Sequence, residues 1–310
     1  MRISFWDTFS WVHGVAPIEK VSYGESNADI FSPACGFIGG FDLTMQIQVG
    51  CPGGCLFCYV SSGGLFTPAS VRGPKGTWWG SVVRDKLHVD ARLRAALNTG
   101  RIAQKAIYFS GVTDPYAGNP KILRSIWNIL GKAPSEERPR RMVVQTRFRP
   151  DRDRKLMAAY ERKTYPSDGG PAVVINYSLG TDRNDLIQAW ERATPSFEQR
   201  LTCLSNLRDA GLFVVVTLSP MALWRDLEGV LKTLNSMGVA YISILFFKDG
   251  TKSANTPQPF LKYLRENYPC VLDEKWQAER LEEARSVFGS NRVLVGQRGF
   301  ASLTAPHLIV

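Results

Sequence analysis

The chain has 310 residues, of which 44% are hydrophobic and 11% aromatic, and its formal net charge is +10. This composition excludes a disordered chain and predicts a large buried core, in one α/β barrel-like domain or two smaller domains. No stretch reaches the roughly 18 uncharged apolar residues of a membrane span, and the first residues lack a secretory signal pattern, so we expect a soluble cytoplasmic protein.

After residue 40, short β-branched runs alternate with longer amphipathic stretches, which is typical of βα units and a parallel sheet. Strands are predicted at residues 42–49, 105–112, 141–147, 172–180, 213–220 and 240–247. Helices are predicted at residues 82–98, 120–131, 151–163, 196–210, 226–237 and 275–288. The first 40 residues have no clear period, so we expect an irregular extension packed across the sheet.

The cysteine-rich stretch GCPGGCLFCYV, residues 50–60, follows the first predicted strand. Parallel strands place their carboxyl ends at one edge, where ligands bind. Cys51, Cys55 and Cys58 have the spacing C-x3-C-x2-C on a glycine-containing loop, so their thiolates can surround an iron–sulfur cluster. A structural zinc site usually pairs two C-x-x-C units, and only one is present here.

This cysteine spacing, followed by an aromatic residue, resembles that of the radical S-adenosylmethionine enzymes. Three further stretches resemble the spore photoproduct lyase branch, also called DNA repair photolyase-like: YFSGVTDPY (108–116), VVQTRFRPDRDRKLM (143–157) and the stretch from 177 to 221. The resemblance implies an α/β fold, a partial (β/α)6 TIM-like barrel. Its core would span residues 41–250, between an N-terminal extension (1–40) and a C-terminal helical and loop extension (251–310) that completes the same domain.

The same resemblance implies a [4Fe–4S] cluster on Cys51, Cys55 and Cys58, with S-adenosylmethionine chelating the fourth iron. A flavodoxin- or ferredoxin-like reductant would supply the electron that cleaves the cofactor. The implied cofactor contacts are Tyr59, Ser110, Gly111, Asp114, Arg147, Asn176, Ser178, Glu191 and Arg200.

Each implied contact has its own role in the resemblance. Tyr59 takes the place of an aromatic near the adenine, and the segment from Ser110 to Asp114 falls where the cofactor's amino group is received. Arg147 stands where the branch has a lysine near the cofactor carboxylate. Ser178, with its neighbour Asn176, corresponds to a ribose contact.

Glu191 and Arg200 flank the fourth crossover. One interpretation is an ion pair that orients a loop over the cofactor. The other is a carboxylate at a helix N-terminus and a solvated arginine. No catalytic side chain is predicted.

The remaining cysteines depart from the branch pattern. Spore photoproduct lyase has a cysteine after its second strand that quenches the product radical, and this chain has none there, so repair of the thymine photoproduct by that route is not expected. Cys203 and Cys270 are predicted to pack as small hydrophobic side chains. Cys35 is interpreted either as a radical-quenching thiol or, preferably, as a buried hydrophobic side chain.

Several functions fit these features. A radical reaction on a small biosynthetic molecule is preferred. Nucleic-acid modification or repair is the alternative, supported by the net charge and the branch resemblance, although no helix-turn-helix or basic tail is present. Transfer of the 3-amino-3-carboxypropyl group of S-adenosylmethionine is a further alternative, and a non-catalytic iron–sulfur carrier or sensor is least expected.

Overall fold

The computed structural model describes residues 22–62, 80, 82–191, 193–248 and 256–305. Within these ranges the strands are β1 (Ser22–Ser26), β2 (Phe31–Pro33), β3 (Leu43–Met45), β4 (Gln48–Val49), β5 (Val82–Lys86), β6 (Ala106–Phe109), β7 (Arg141–Thr146), β8 (Val173–Ser178), β9 (Phe213–Leu218), β10 (Tyr241–Ile244) and β11 (Val293–Val295). The helices are α1 (Val89–Asn98), α2 (Pro120–Lys132), α3 (Arg154–Lys163), α4 (Asn184–Trp190), α5 (Phe197–Asp209), α6 (Leu227–Ser236), α7 (Gln258–Asn267), α8 (Glu274–Phe288) and α9 (Gly296–Ser302).

The main sheet has eight strands in the order β11-β10-β9-β8-β7-β6-β3-β2. All neighbouring pairs are parallel except β2 with β3. Over the described residues the sheet stays open, so it is a partial barrel of βα units, and the predicted fold class is confirmed. A smaller sheet has the order β1-β5-β4.

The two faces of the main sheet are covered differently. Helices pack on the outer face, as shown by α5, which starts at a Ser196 capping box and buries Cys203, Leu204 and Leu207. On the inner face, the lower part of the sheet is covered by Phe41 and by side chains of the C-terminal segment. This apolar cover leaves the carboxyl end of the inner face as the place for polar groups.

Two predictions about local structure were wrong. The segment 82–98 was predicted as one helix, but its first part is β5, which pairs with β1 and β4. Residues 22–40 contain β1 and β2 where an irregular segment was expected. Strands of three to five residues are too short to give a clear periodic signal. The domain boundaries at residues 40 and 250 stay a prediction.

Helices α4, α7 and α9 and strand β11 were not predicted from the sequence. Three of these four elements are shorter than ten residues, so they hold too few turns or alternations for a period to stand out. Among the described helices, none combines the length and the apolar composition needed to cross a membrane.

Candidate functional site

The cysteine loop starts directly after β4 and is fixed at both ends. Gly50 has a φ of +84°, and a Cβ there would lie 2.3 Å from the carbonyl oxygen of Val82, so this position requires glycine. Further along, Leu56 N donates to Trp190 O at 2.9 Å, which ties the loop to the end of α4. Cys55 is buried, whereas Cys51 and Cys58 are partly exposed.

The three thiols share one environment, because each of the other two raises the pKa of Cys55. For Cys51, burial is the largest cause of the pKa shift, and the pKa rises to about 12. Burial also raises the pKa of Cys55, and the nearby Arg147 guanidinium opposes that rise. Such thiols need a strong positive partner to become thiolates, and bound metal provides one.

Within the described ranges, no three His, Cys, Asp or Glu side chains are arranged to hold one metal ion. In a cuboidal iron–sulfur cluster, each cysteine binds a different iron. The cysteine thiols therefore surround the whole cluster and do not meet at a single metal ion. Three thiols in a common, partly enclosed loop beside a guanidinium fit that donor set.

The end of β6 lies against the cysteine loop. Tyr59 Oη donates to the carbonyl oxygen of Gly111. Ser110 has a φ of +79°, and its Oγ lies 2.6 Å from Thr113 Oγ1. A Cβ on Gly111 would lie 2.9 Å from Ile38 Cδ1, so the absence of a side chain lets the segment before β3 pack closely here. The structure therefore places Tyr59, Ser110 and Gly111 together.

Asp114 holds the turn that follows β7. Its carboxylate accepts hydrogen bonds from Thr146 Oγ1 at 2.6 Å, Arg147 N at 2.8 Å and Tyr116 N at 3.0 Å. Burial nevertheless raises the pKa of this carboxyl group above its ordinary value, against these hydrogen bonds. All three donors are protein groups, so the carboxylate fixes the position of the Arg147 backbone, and its contact with a cofactor stays a prediction.

We expect Asp114→Asn to destabilise the chain by about 1–3 kcal/mol. An amide in this place presents one oxygen instead of two, so at least one of the three donors loses its acceptor. Chemical denaturation of the purified protein measures the change. Asp209→Asn, at an exposed position of α5, is the control and should stay within about 0.5 kcal/mol of the parent protein. Equal stability of both variants would contradict the role given to Asp114.

Arg147, Glu191 and Arg200 form a buried charged triad next to the cysteine loop. Arg147 Nη1 lies 3.0 Å from Glu191 Oε1, and Arg200 Nη2 contacts Glu191 Oε2. The Arg147 guanidinium also stacks over Phe57 at 5.0 Å from the ring centroid. Arg200 is fully buried and donates from Nε to Pro195 O at 2.9 Å, so the interpretation as a solvated arginine was wrong.

The triad carries a net positive charge. Burial alone would raise the pKa of Glu191, but the guanidiniums of Arg200 and Arg147 outweigh it and hold this pKa at about 2. Glu191 therefore stays ionised and neutralises only one of the two arginines. The remaining charge is felt by Cys55 and Cys58, since both thiols perturb Arg147. The Arg147 charge favours the Cys55 thiolate, while the Glu191 carboxylate opposes it and burial keeps the pKa of Cys55 above its ordinary value.

Polar side chains line the carboxyl half of the sheet's inner face. Gln145 Oε1 accepts from Tyr108 Oη at 2.7 Å and from Asn176 Nδ2 at 2.6 Å, and Gln145 Nε2 donates to Ser178 Oγ at 2.6 Å. Thr217 Oγ1 donates to Asn176 Oδ1. Sequence reasoning found Asn176 and Ser178 but missed the other three, although polar residues at every second strand position were a usable signal.

The remaining cysteines differ in burial. Cys203 is fully buried in the outer core, which confirms the interpretation as a small hydrophobic side chain. Cys35 is exposed, so the preferred interpretation as a buried side chain was wrong. Cys270 is partly exposed and packs against the aromatic cluster of Trp190 and Phe260.

Comparisons with known proteins give matches to solved structures. No family model matches the chain, and no curated protein matches it. A spore photoproduct lyase mutant superposes with a TM-score of 0.55 and 13% identity, over 94% of this chain and 83% of that one. A spore photoproduct lyase complexed with dinucleoside spore photoproduct gives the same values. A mutant with bound AdoMet and dinucleoside spore photoproduct matches with a TM-score of 0.53 and 13% identity, over 97% and 82%. The chain therefore has the fold of spore photoproduct lyase.

Proposed function

We propose that this protein is a radical S-adenosylmethionine enzyme, with Cys51, Cys55 and Cys58 as the ligands of a [4Fe–4S] cluster. The supporting observation is the position of these thiols, on a constrained loop at the carboxyl edge of a sheet with this fold and beside a positively charged triad. We expect the protein to act in the cytoplasm.

When bound, the cluster and S-adenosylmethionine would supply one-electron cleavage of a sulfonium S–C bond, and so a carbon radical. The chain's own residues hold and orient these groups. Arg147, fixed by Glu191 and by Phe57, places a positive charge beside the cysteine loop that would attract a carboxylate. Tyr59 donates to the carbonyl oxygen of Gly111 and so holds the segment after β6 against the cysteine loop.

We propose a small molecule as the substrate. The inner face of the sheet is closed below by Phe41, Phe300 and Leu303, and its polar groups above them are neutral amides and hydroxyls. Neutral hydrogen-bonding groups above an apolar floor suit a small molecule or a single extruded group. Nucleic acid is the second candidate. The exposed Arg124 and Arg152, on either side of Asp153, are the observation that favours it, since phosphate groups bind such side chains.

Anaerobic incubation of reconstituted protein with dithionite and S-adenosylmethionine tests the class of reaction. We expect mass spectrometry to detect 5′-deoxyadenosine. Methylthioadenosine with a homoserine-type fragment would instead identify aminocarboxypropyl transfer. Intact cofactor beside a loaded cluster would contradict the proposal and favour a carrier or sensor.

The same reaction, carried out with candidate small molecules and with DNA or RNA oligonucleotides, tests the substrate. A substrate should accelerate cofactor cleavage and exchange hydrogen with it. Deuterium appearing in 5′-deoxyadenosine from a labelled small molecule would support the preferred substrate class. Deuterium appearing only from labelled oligonucleotides would overturn that preference in favour of nucleic acid.

A further inference from the structure

Gln145 is the centre of the polar network inside the sheet. Its Oε1 accepts from Tyr108 Oη and Asn176 Nδ2, and its Nε2 donates to Ser178 Oγ. These hydrogen bonds connect three neighbouring strands, β6, β7 and β8. Gln145 therefore determines which donors and acceptors of Tyr108, Asn176 and Ser178 stay available for other hydrogen bonds.

The direction of these bonds matters most at Ser178. A serine hydroxyl has one hydrogen to donate and lone pairs to accept. Because Ser178 Oγ accepts from Gln145, its own hydrogen stays available, and the Ser178 side chain makes no second hydrogen bond within the described part of the chain. Ser178 ends β8, so this donor faces the carboxyl edge of the sheet, where Arg147 and the cysteine loop also lie.

We propose that Gln145 is a positioning residue that presents the Ser178 hydroxyl as a donor to an acceptor atom of bound S-adenosylmethionine. This inference rests on the proposed function, because it places the cofactor above Ser178. Gln145 itself does not touch the cofactor. It acts by donating to Ser178 Oγ, so that the hydroxyl hydrogen is directed away from Gln145 and is available to the ligand.

Calorimetric binding of S-adenosylmethionine to the anaerobically reconstituted protein tests this inference. Ser178→Ala removes the donor, and we expect Kd to rise about tenfold, the value of one hydrogen bond. Gln145→Glu should cause a similar loss, because a carboxylate accepts the Ser178 hydrogen and turns it away from the ligand. Gln145→Leu should cost less, because it leaves the Ser178 hydroxyl free to rotate and donate.

The double variant Gln145→Glu/Ser178→Ala separates this mechanism from the added negative charge. If Gln145 acts through Ser178, the double variant binds no more weakly than Ser178→Ala alone. If the charge acts directly, Gln145→Glu costs as much in the Ser178→Ala background as in the parent. Ser205→Ala, on an exposed part of α5, is the control for hydroxyl removal. Iron content and thermal unfolding show that the variants are folded and loaded.

Three results would overturn the inference while leaving the proposed function in place: additive effects, equal effects of Gln145→Glu and Gln145→Leu, or normal binding by Ser178→Ala. Normal binding by Ser178→Ala would show that the Ser178 hydroxyl makes no hydrogen bond that contributes to cofactor binding. Failure of the parent protein to bind S-adenosylmethionine would contradict the proposed function itself, and this inference with it.

Discussion

Cys55→Ala is expected to abolish both cluster assembly and cleavage of S-adenosylmethionine. Cys55 is the buried member of the three thiols, and the positive charge of Arg147 acts to lower its pKa. Without it, one iron of the cluster would lose its protein ligand. Iron and sulfide analysis after anaerobic reconstitution should fall from about four irons per chain to near zero. Formation of cofactor fragments should fall by at least a factor of ~1,000, to the limit of detection.

Cys203→Ala is the matched control for this experiment. Cys203 is also a buried free thiol, but it lies on the buried face of α5 and packs in the outer core. Its removal should lower stability by about 1 kcal/mol and leave iron content and cofactor cleavage nearly unchanged. A second variant, Cys55→Ser, keeps the size of the side chain and reports on cluster binding with little effect on packing. Normal cluster content in Cys55→Ala would refute the assignment of this loop.

The fold was largely predictable because its central strands carry continuous β-branched runs. The segments at 141–147, 172–180 and 213–220 each correspond to a strand of the main sheet, β7, β8 and β9. These strands are buried on both faces, which requires apolar runs in the sequence. By contrast, β5 is short and belongs to a small sheet whose partners lie far apart in the chain, so local pattern could not distinguish it from the following helix.

The candidate site was predictable where a motif is local and hidden where it depends on contacts between strands. Cys51, Cys55 and Cys58 stand together in the sequence, so their spacing alone suggested a cluster. The hydrogen bonds from Gln145 to Tyr108 and Ser178 join residues more than thirty positions apart. Only the register of β6, β7 and β8 brings them together, and no propensity encodes that register.

Glu191→Gln is expected to lower the free energy of unfolding by about 3–5 kcal/mol at neutral pH. Glu191 is the carboxylate between the fully buried Arg200 and the largely buried Arg147, so its neutralisation leaves Arg200 without a counter-charge in the interior. The Thr194 hydroxyl, which donates to Glu191 Oε2 at 2.8 Å, would also lose a charged acceptor. Denaturant unfolding of the parent and the variant measures this difference.

Lowering the pH should reduce this difference between the parent protein and Glu191→Gln. The pKa of Glu191 is about 2 in the fold, below its ordinary value of 4.5, so its contribution is complete above 4.5 and is lost as the pH falls towards 2. At about pH 4 the difference should already be smaller by about 1 kcal/mol. Glu266→Gln, at an exposed position of α7, should change stability by less than about 0.5 kcal/mol at either pH. A pH-independent difference for Glu191→Gln would show that its side chain contributes through packing alone and that the triad does not hold a charged carboxylate.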